Sequence, residues 1–164
     1  MSCQSDIAKA QNPEGELLLA RVLNRELGWG KRGWRSVDCQ KLPPSYYLDF
    51  CILRDKRYVE AWLEVKERFL PPSDQHWDWL FPLMKWIRGL ELAKASGKPF
   101  YICFSYPDKN GQTRVIYMEA TEEMKPEVVW TGRKDRGYKD DFFPHIELPH
   151  AWFKDITPQE WLND

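Results

Sequence analysis

Apolar residues recur at helical spacing in two segments of the chain. A first helix is predicted from residue 12 or 13 to residue 27, because Asn12 can cap it and Gly28 can end it. A second helix is predicted over residues 81–96, with Gly97 as its C-terminal cap. The apolar stripe of the first helix consists of Leu19, Val22, Leu23 and Leu27.

Runs rich in aromatic and β-branched residues predict strands around these helices. The predicted strands cover residues 46–53, 58–66, 100–106 and 114–119, with a short one at 146–148. Residues 74–80 are compatible with a loop or a short helical turn, and residues 121–141 are predicted to form a long loop. The order helix, strand, strand, helix, strand, strand indicates an α/β (α+β) fold in which helices flank a small mixed central sheet.

The first two strands form a hairpin whose register can be tested by arithmetic. If Lys56 and Arg57 make a two-residue turn, the residues that face each other across the hairpin have numbers that sum to 113. One face is then uniformly apolar, as selection of a register requires. Its predicted pairs are Leu48 with Val65, Phe50 with Leu63 and Ile52 with Ala61.

The opposite face of this hairpin carries charge. Asp49 is predicted to stand directly across from Glu64, with Lys66 one step further along the same strand. Opposed carboxylates destabilise a sheet unless a cation lies between them. Two carboxylates this close form a hard oxygen site that suits Mg²⁺ or Mn²⁺, and a neighbouring lysine can act on a metal-bound water or on a phosphate. The alternative for these three residues is a surface face of salt bridges on an amphipathic hairpin.

Length and composition limit the remaining classes. The chain has 164 residues, of which 43% are hydrophobic, so we expect a single domain over residues 1–164 with its core at about 12–119 and an extension at about 120–164. No apolar run approaches the length of a membrane span, and the N-terminus lacks the features of a signal peptide. The four cysteines have no metal-binding spacing, and the sequence therefore predicts a cytoplasmic protein.

Asp49, followed on the next strand by Glu64-x-Lys66 and preceded by a helix that bears Glu16, resembles the PD-(D/E)XK nuclease superfamily with its restriction-endonuclease-like core. The resemblance implies Mg²⁺- or Mn²⁺-dependent cleavage of DNA, or less often of RNA. It implies that Asp49, Glu64 and the Val65 carbonyl hold the metal. It also implies that Lys66 orients or activates the attacking water and that Glu16 supports the site. The alternative for Glu16 is a helix N-terminal acid favoured by the helix dipole.

The net charge of −1 means that nucleic-acid binding must use local basic surfaces. The alternative for each basic cluster is a solvated loop. The resemblance also implies that Lys85, on the second predicted helix, could approach the phosphate. It suggests a homodimer, since nucleases that cut both strands often act as dimers. The competing function, favoured by the near-neutral charge, is a catalytically silent module of the same fold that binds DNA or a protein. The candidate nucleic-acid-binding residues are Lys31, Arg32, Arg35, Lys56, Arg57 and Lys85.

Overall fold

A computed structural model describes residues 13–28, 36–69, 79–132 and 142–162. The predictions for Asn12, for the cluster of Lys31, Arg32 and Arg35, and for residues 74–78 lie outside the described residues. In chain order the helices and strands are α1 (Pro13–Glu26), β1 (Val37–Lys41), β2 (Phe50–Arg54), β3 (Tyr58–Glu67), β4 (Trp79–Pro82), α2 (Leu83–Ser96), β5 (Phe100–Pro107), β6 (Thr113–Ala120), β7 (Glu127–Gly132), β8 (Phe142–Leu148) and β9 (Lys154–Asp155).

The strands form two sheets. The larger has the order β1-β2-β3-β5-β6-β9, and the smaller has the order β4-β8-β7. In the larger sheet β3 and β5 run parallel, whereas the other neighbours are antiparallel. Parallel neighbours need a crossover, and β4 with α2 provides it. The predicted mixed sheet with flanking helices is thus confirmed.

Both faces of the larger sheet are buried. On one face α1 packs against β2, β3 and β5, through residues such as Leu23, Ile52 and Leu63. On the other face lie α2 and the smaller sheet, whose Trp79 ring centroid is 4.9 Å from that of Phe104. Burial on both faces explains why β5 reads as a continuous apolar run rather than an alternating one.

Gly89 lets α2 approach the sheet closely. A Cβ atom at this position would collide with the aromatic ring of Phe100, which is itself fully buried. No other residue could therefore occupy this position without moving the helix or the ring. This close packing brings the first turn of α2 down to the end of β3, where the charged residues lie.

The hairpin of β2 and β3 confirms the predicted register in its middle and departs from it at both ends. Phe50 faces Leu63 and Ile52 faces Ala61, but Leu53 faces Val59, so that β3 has a bulge. The turn has three residues rather than two, because the side chain and the amide of Asp55 are hydrogen-bonded to the backbone of Ser36 at the start of β1. The prediction of a two-residue turn was wrong.

Leu48 also departs from its predicted place. It packs in the cluster on the α2 side, whereas Val65 packs on the α1 side. The reason is that the chain leaves the ladder before β2 begins, where the Asp49 carbonyl accepts the Leu42 amide at 2.9 Å. The predicted pairing of Leu48 with Val65 was therefore wrong.

Several strands were not predicted. β1 is short and half exposed, and β4 occupies four residues that the sequence assigned to a loop and to the start of the second helix. β7 lies within the predicted long loop, and β8 is longer than the predicted strand at 146–148. β4 and β7 pair with β8, which is distant from β4 in sequence, and local patterns do not report such pairing. Among the described residues, no helix is long and apolar enough to span a membrane.

Candidate active site

Asp49 and Glu64 lie side by side where β2 and β3 separate. The Asp49 amide donates to Glu64 Oε2 at 3.2 Å, and the Val65 amide donates to Asp49 Oδ2 at 3.3 Å. Val65 lies beyond the last ladder pair of the hairpin, so its amide is available for this bond. Each carboxylate thus accepts a hydrogen bond from a backbone amide of the segment that bears the other acid. The second oxygen of each carboxylate is available to other groups. The prediction that these two acids oppose each other agrees with this geometry.

Two lysines meet the remaining oxygens. Lys66 Nζ is 2.6 Å from Glu64 Oε1, as its position two residues further along β3 allows. Lys85, in the first turn of α2, contacts the same Glu64 oxygen and lies 3.7 Å from Asp49 Oδ1. A single ammonium group therefore touches one oxygen of each carboxylate.

Glu16 reaches this cluster through a lysine that the sequence analysis missed. Lys41 Nζ lies 2.6 Å from Glu16 Oε2 and 3.7 Å from Asp49 Oδ1. Lys41 ends β1 and pairs with Phe50, so it stands beside Asp49 only because β1 joins the sheet. Since β1 was not predicted, no spacing in the sequence could have linked Lys41 with Asp49.

Burial and charge act in opposite directions on these groups. Glu64 is fully buried, and burial raises its pKa above the ordinary value although Lys66 and Lys85 oppose the shift. Burial would also raise the pKa of Asp49, but the three lysines and the Val65 amide outweigh it and hold that pKa below the ordinary value. Burial tends to lower the pKa of Lys66, yet the adjacent Glu64 and Asp49 raise it, so Lys66 carries its proton in this arrangement.

The donor set fits a divalent cation. Asp49 Oδ1 and Glu64 Oε1 converge on one ammonium group, which marks a position where a cation contacts both oxygens. Carboxylate oxygens are hard ligands of the kind that Mg²⁺ and Mn²⁺ prefer. Within the described parts of the chain, no three His, Cys, Asp or Glu side chains group as metal ligands. Water or substrate oxygens would therefore have to complete the coordination around these two acids.

The other predicted nucleic-acid contacts are not brought together here. Lys56 and Arg57 lie in the β2–β3 turn, and Glu64 is seven residues beyond Arg57, roughly 20 Å away along an extended strand. Both side chains are exposed. Lys85 is the one predicted nucleic-acid contact among the described residues that lies at the acidic pair.

A mixed sheet with helices on its faces, and an Asp, Glu and Lys set where two of its strands separate, define a nuclease-like fold of the PD-(D/E)XK class. The chain belongs to the family described as "Phage putative PDDEXK endonuclease", whose model matches residues 24–156. The matched range contains α2 and all strands of the described residues, and it begins after Glu16. No curated protein and no solved structure matches the chain.

Proposed function

We propose that this chain is a nuclease that hydrolyses phosphodiester bonds, in DNA rather than RNA, with Mg²⁺ or Mn²⁺ held by Asp49, Glu64 and the Val65 carbonyl. The observation that carries the proposal is that the carboxylates of Asp49 and Glu64 lie together, each accepting a backbone amide from the segment that bears the other, at a site where Glu64 is fully buried. Two adjacent acids repel each other, and a sheet gains no stability from placing them together. A metal ion bound between them would offset this repulsion and account for the arrangement.

The bound metal would supply Lewis-acid chemistry, polarising a phosphate oxygen and lowering the pKa of an attacking water. Asp49 and Glu64 are prepared for it, because amide hydrogen bonds fix one oxygen of each carboxylate and aim the other at a common point. Such fixed groups need little reorganisation when charge develops in the transition state.

Lys66 would orient the attacking water or stabilise the negative charge on the phosphate, rather than act as a base that removes a proton. Its ammonium group is held by Glu64 Oε1 at 2.6 Å, and its raised pKa keeps it protonated. A protonated amine at this place donates to the attacking water or to the negative charge that develops on the phosphate. Glu16 contacts Lys41 and so acts on the acids through that residue.

The test compares purified wild type, Lys66→Ala and Lys98→Ala. Lys98 is the matched control, since it also pairs with a glutamate of β3, Glu60, at 2.9 Å and lies outside the acidic pair. Each protein is incubated with labelled single-stranded, duplex and branched DNA and with RNA, with Mg²⁺ or Mn²⁺ and with a chelator. We expect metal-dependent cleavage that falls about a hundredfold or more in Lys66→Ala and persists in Lys98→Ala.

Two outcomes would contradict the proposal. Cleavage that survives in Lys66→Ala would place the activity at another site or in a contaminant. An absence of cleavage by folded, metal-supplied wild type, together with retained binding of DNA, would assign the chain to the catalytically silent binding modules of this fold.

A further inference from the structure

Lys85 occupies the point where the two carboxylates converge. Its ammonium group contacts Glu64 Oε1 and lies 3.7 Å from Asp49 Oδ1, and these are the oxygens that the backbone amides leave open. A divalent cation bound by both acids would have to approach the same two atoms. The lysine and the cation therefore compete for one position.

Charge balance points the same way. The two carboxylates are balanced by the ammonium groups of Lys66 and Lys85. The adjoining Lys41 is balanced by Glu16, so the cluster is neutral as it stands. A divalent cation that joined this cluster would leave two positive charges in excess, which is costly in a buried place. Movement of one lysine outward reduces that excess, and an incoming phosphodiester group supplies a negative charge for the displaced ammonium to meet.

We infer that Lys85 fills the cation position in the metal-free protein, leaves it when the divalent cation binds, and then contacts a non-bridging oxygen of the scissile phosphate. This inference rests on the proposed metal site. It assigns Lys85 two successive partners, the acids first and the substrate afterwards. Lys85 is thereby both a cation substitute that offsets the charges of the two acids before the metal binds and a catalytic residue.

The neighbouring lysines are less suited to this exchange. Lys66 is ion-paired with Glu64, and among the described residues no ion pair joins it to Asp49, so it does not bridge the two acids as Lys85 does. Lys41 lies 3.7 Å from Asp49 but has a closer partner in Glu16 at 2.6 Å, which holds it to the side of the site. Lys85 extends from the first turn of α2 with its side chain 25% exposed, so it can swing towards solvent without leaving the helix.

Chemical labelling of lysines in the wild-type protein tests the exchange without reference to activity. Reductive methylation with isotopically labelled formaldehyde, read by mass spectrometry, measures how accessible each amine is. Labelling is compared without metal and with Mg²⁺ at a concentration that calorimetry shows to be saturating. We expect labelling of Lys85 to rise severalfold with Mg²⁺. Labelling of Lys98, which is ion-paired with Glu60 and 36% exposed, should stay constant as the internal control.

A variant supplies the second measurement. Lys85→Met keeps the length and the apolar part of the side chain and removes the competing charge. We expect it to bind Mg²⁺ about tenfold more tightly than wild type by calorimetry, which is the size of coupling typical of interacting charged groups. Lys98→Met should bind as wild type does. Circular dichroism would verify that both variants are folded.

The outcomes separate this inference from the proposed function. Mg²⁺ binding with unchanged labelling of Lys85, or weaker binding by Lys85→Met, would overturn the exchange and leave the metal site intact. If wild type does not bind Mg²⁺ yet cleaves nucleic acid in a metal-dependent way, the exchange also fails while the nuclease stands. If it neither binds Mg²⁺ nor cleaves, both proposals fail.

Discussion

Two glutamates of the same strand, Glu60 and Glu64, are each held by two cations, and the difference between them separates an ordinary ion-pair cluster from the proposed metal site. Arg54 and Lys98 contact Glu60 at 2.8 and 2.9 Å. Lys66 and Lys85 contact Glu64. Lys85 lies in the first turn of α2, whereas Lys98 follows the helix, two residues after its last residue, Ser96.

The two clusters differ in their second acid and in their burial. Glu64 is fully buried and has Asp49 beside it. The side chain of Glu60 is 11% exposed and forms ion pairs with Arg54 and Lys98. Burial would raise the pKa of Glu60, but Arg54 and Lys98 bring it below the ordinary value. For Glu64 burial prevails, and the Asp49 charge adds to it. The Glu60 cluster pairs opposite charges only, and a second carboxylate distinguishes the cluster at which we propose that a metal ion binds.

The largest expected effect is on cleavage activity, and it tests whether the second carboxylate distinguishes the two clusters. Asp49→Asn removes one charged ligand while keeping the shape, so we expect the initial rate of metal-dependent cleavage to fall about a thousandfold. Glu60→Gln, the matched change in the other cluster, should leave the rate within about twofold of wild type. Equal losses in both variants would show that the second carboxylate has no special role.

The next largest effect is on the free energy of unfolding, for which the two glutamates are compared directly. Glu64→Ala empties the space of a fully buried side chain and leaves the Asp49 amide without its acceptor, so we expect the free energy of unfolding to fall by about 3 kcal/mol. Glu60→Ala should cost about 1 kcal/mol, because Arg54 and Lys98 can turn to solvent. Urea unfolding of the metal-free proteins measures both values. A larger loss in Glu60→Ala would contradict this account.

The smallest effect is a difference in pH dependence with opposite signs. The lowered pKa of Glu60 gives stability that is present above the ordinary glutamate value of 4.5 and is lost as the pH falls through the folded-state value. The raised pKa of Glu64 does the reverse, since its ionised form is disfavoured on folding and stability falls as the pH rises above 4.5. Both contributions disappear on replacement by glutamine.

The measurement is the unfolding free energy of Glu60→Gln and Glu64→Gln, each relative to wild type, between pH 3 and pH 8. Relative stability should decrease with rising pH for Glu60→Gln and increase for Glu64→Gln. Slopes of the same sign would mean that the two glutamates share one environment.

Much of the core was predictable because its patterns are local. The stripe of α1, the β2–β3 register and the opposition of Asp49 and Glu64 each follow from spacing within about twenty residues, as does the bounded run that forms β5. The strands that were missed, β1, β4, β7 and β9, are short, and β4 finds its partner β8 far along the chain. Their residues carry little periodic signal, so pairing rather than propensity makes them strands.

The sequence by itself determined the mixed sheet with its helices and the acidic pair with Lys66, because alternation along neighbouring strands decides which side chains share a face. Only the tertiary structure decided which cations meet those acids. Lys41 comes from β1 and Lys85 from α2, and they reach Asp49 from different directions through sheet pairing and the close approach of α2 at Gly89. Long side chains at distant positions meet through packing, and packing leaves no spacing rule in the sequence.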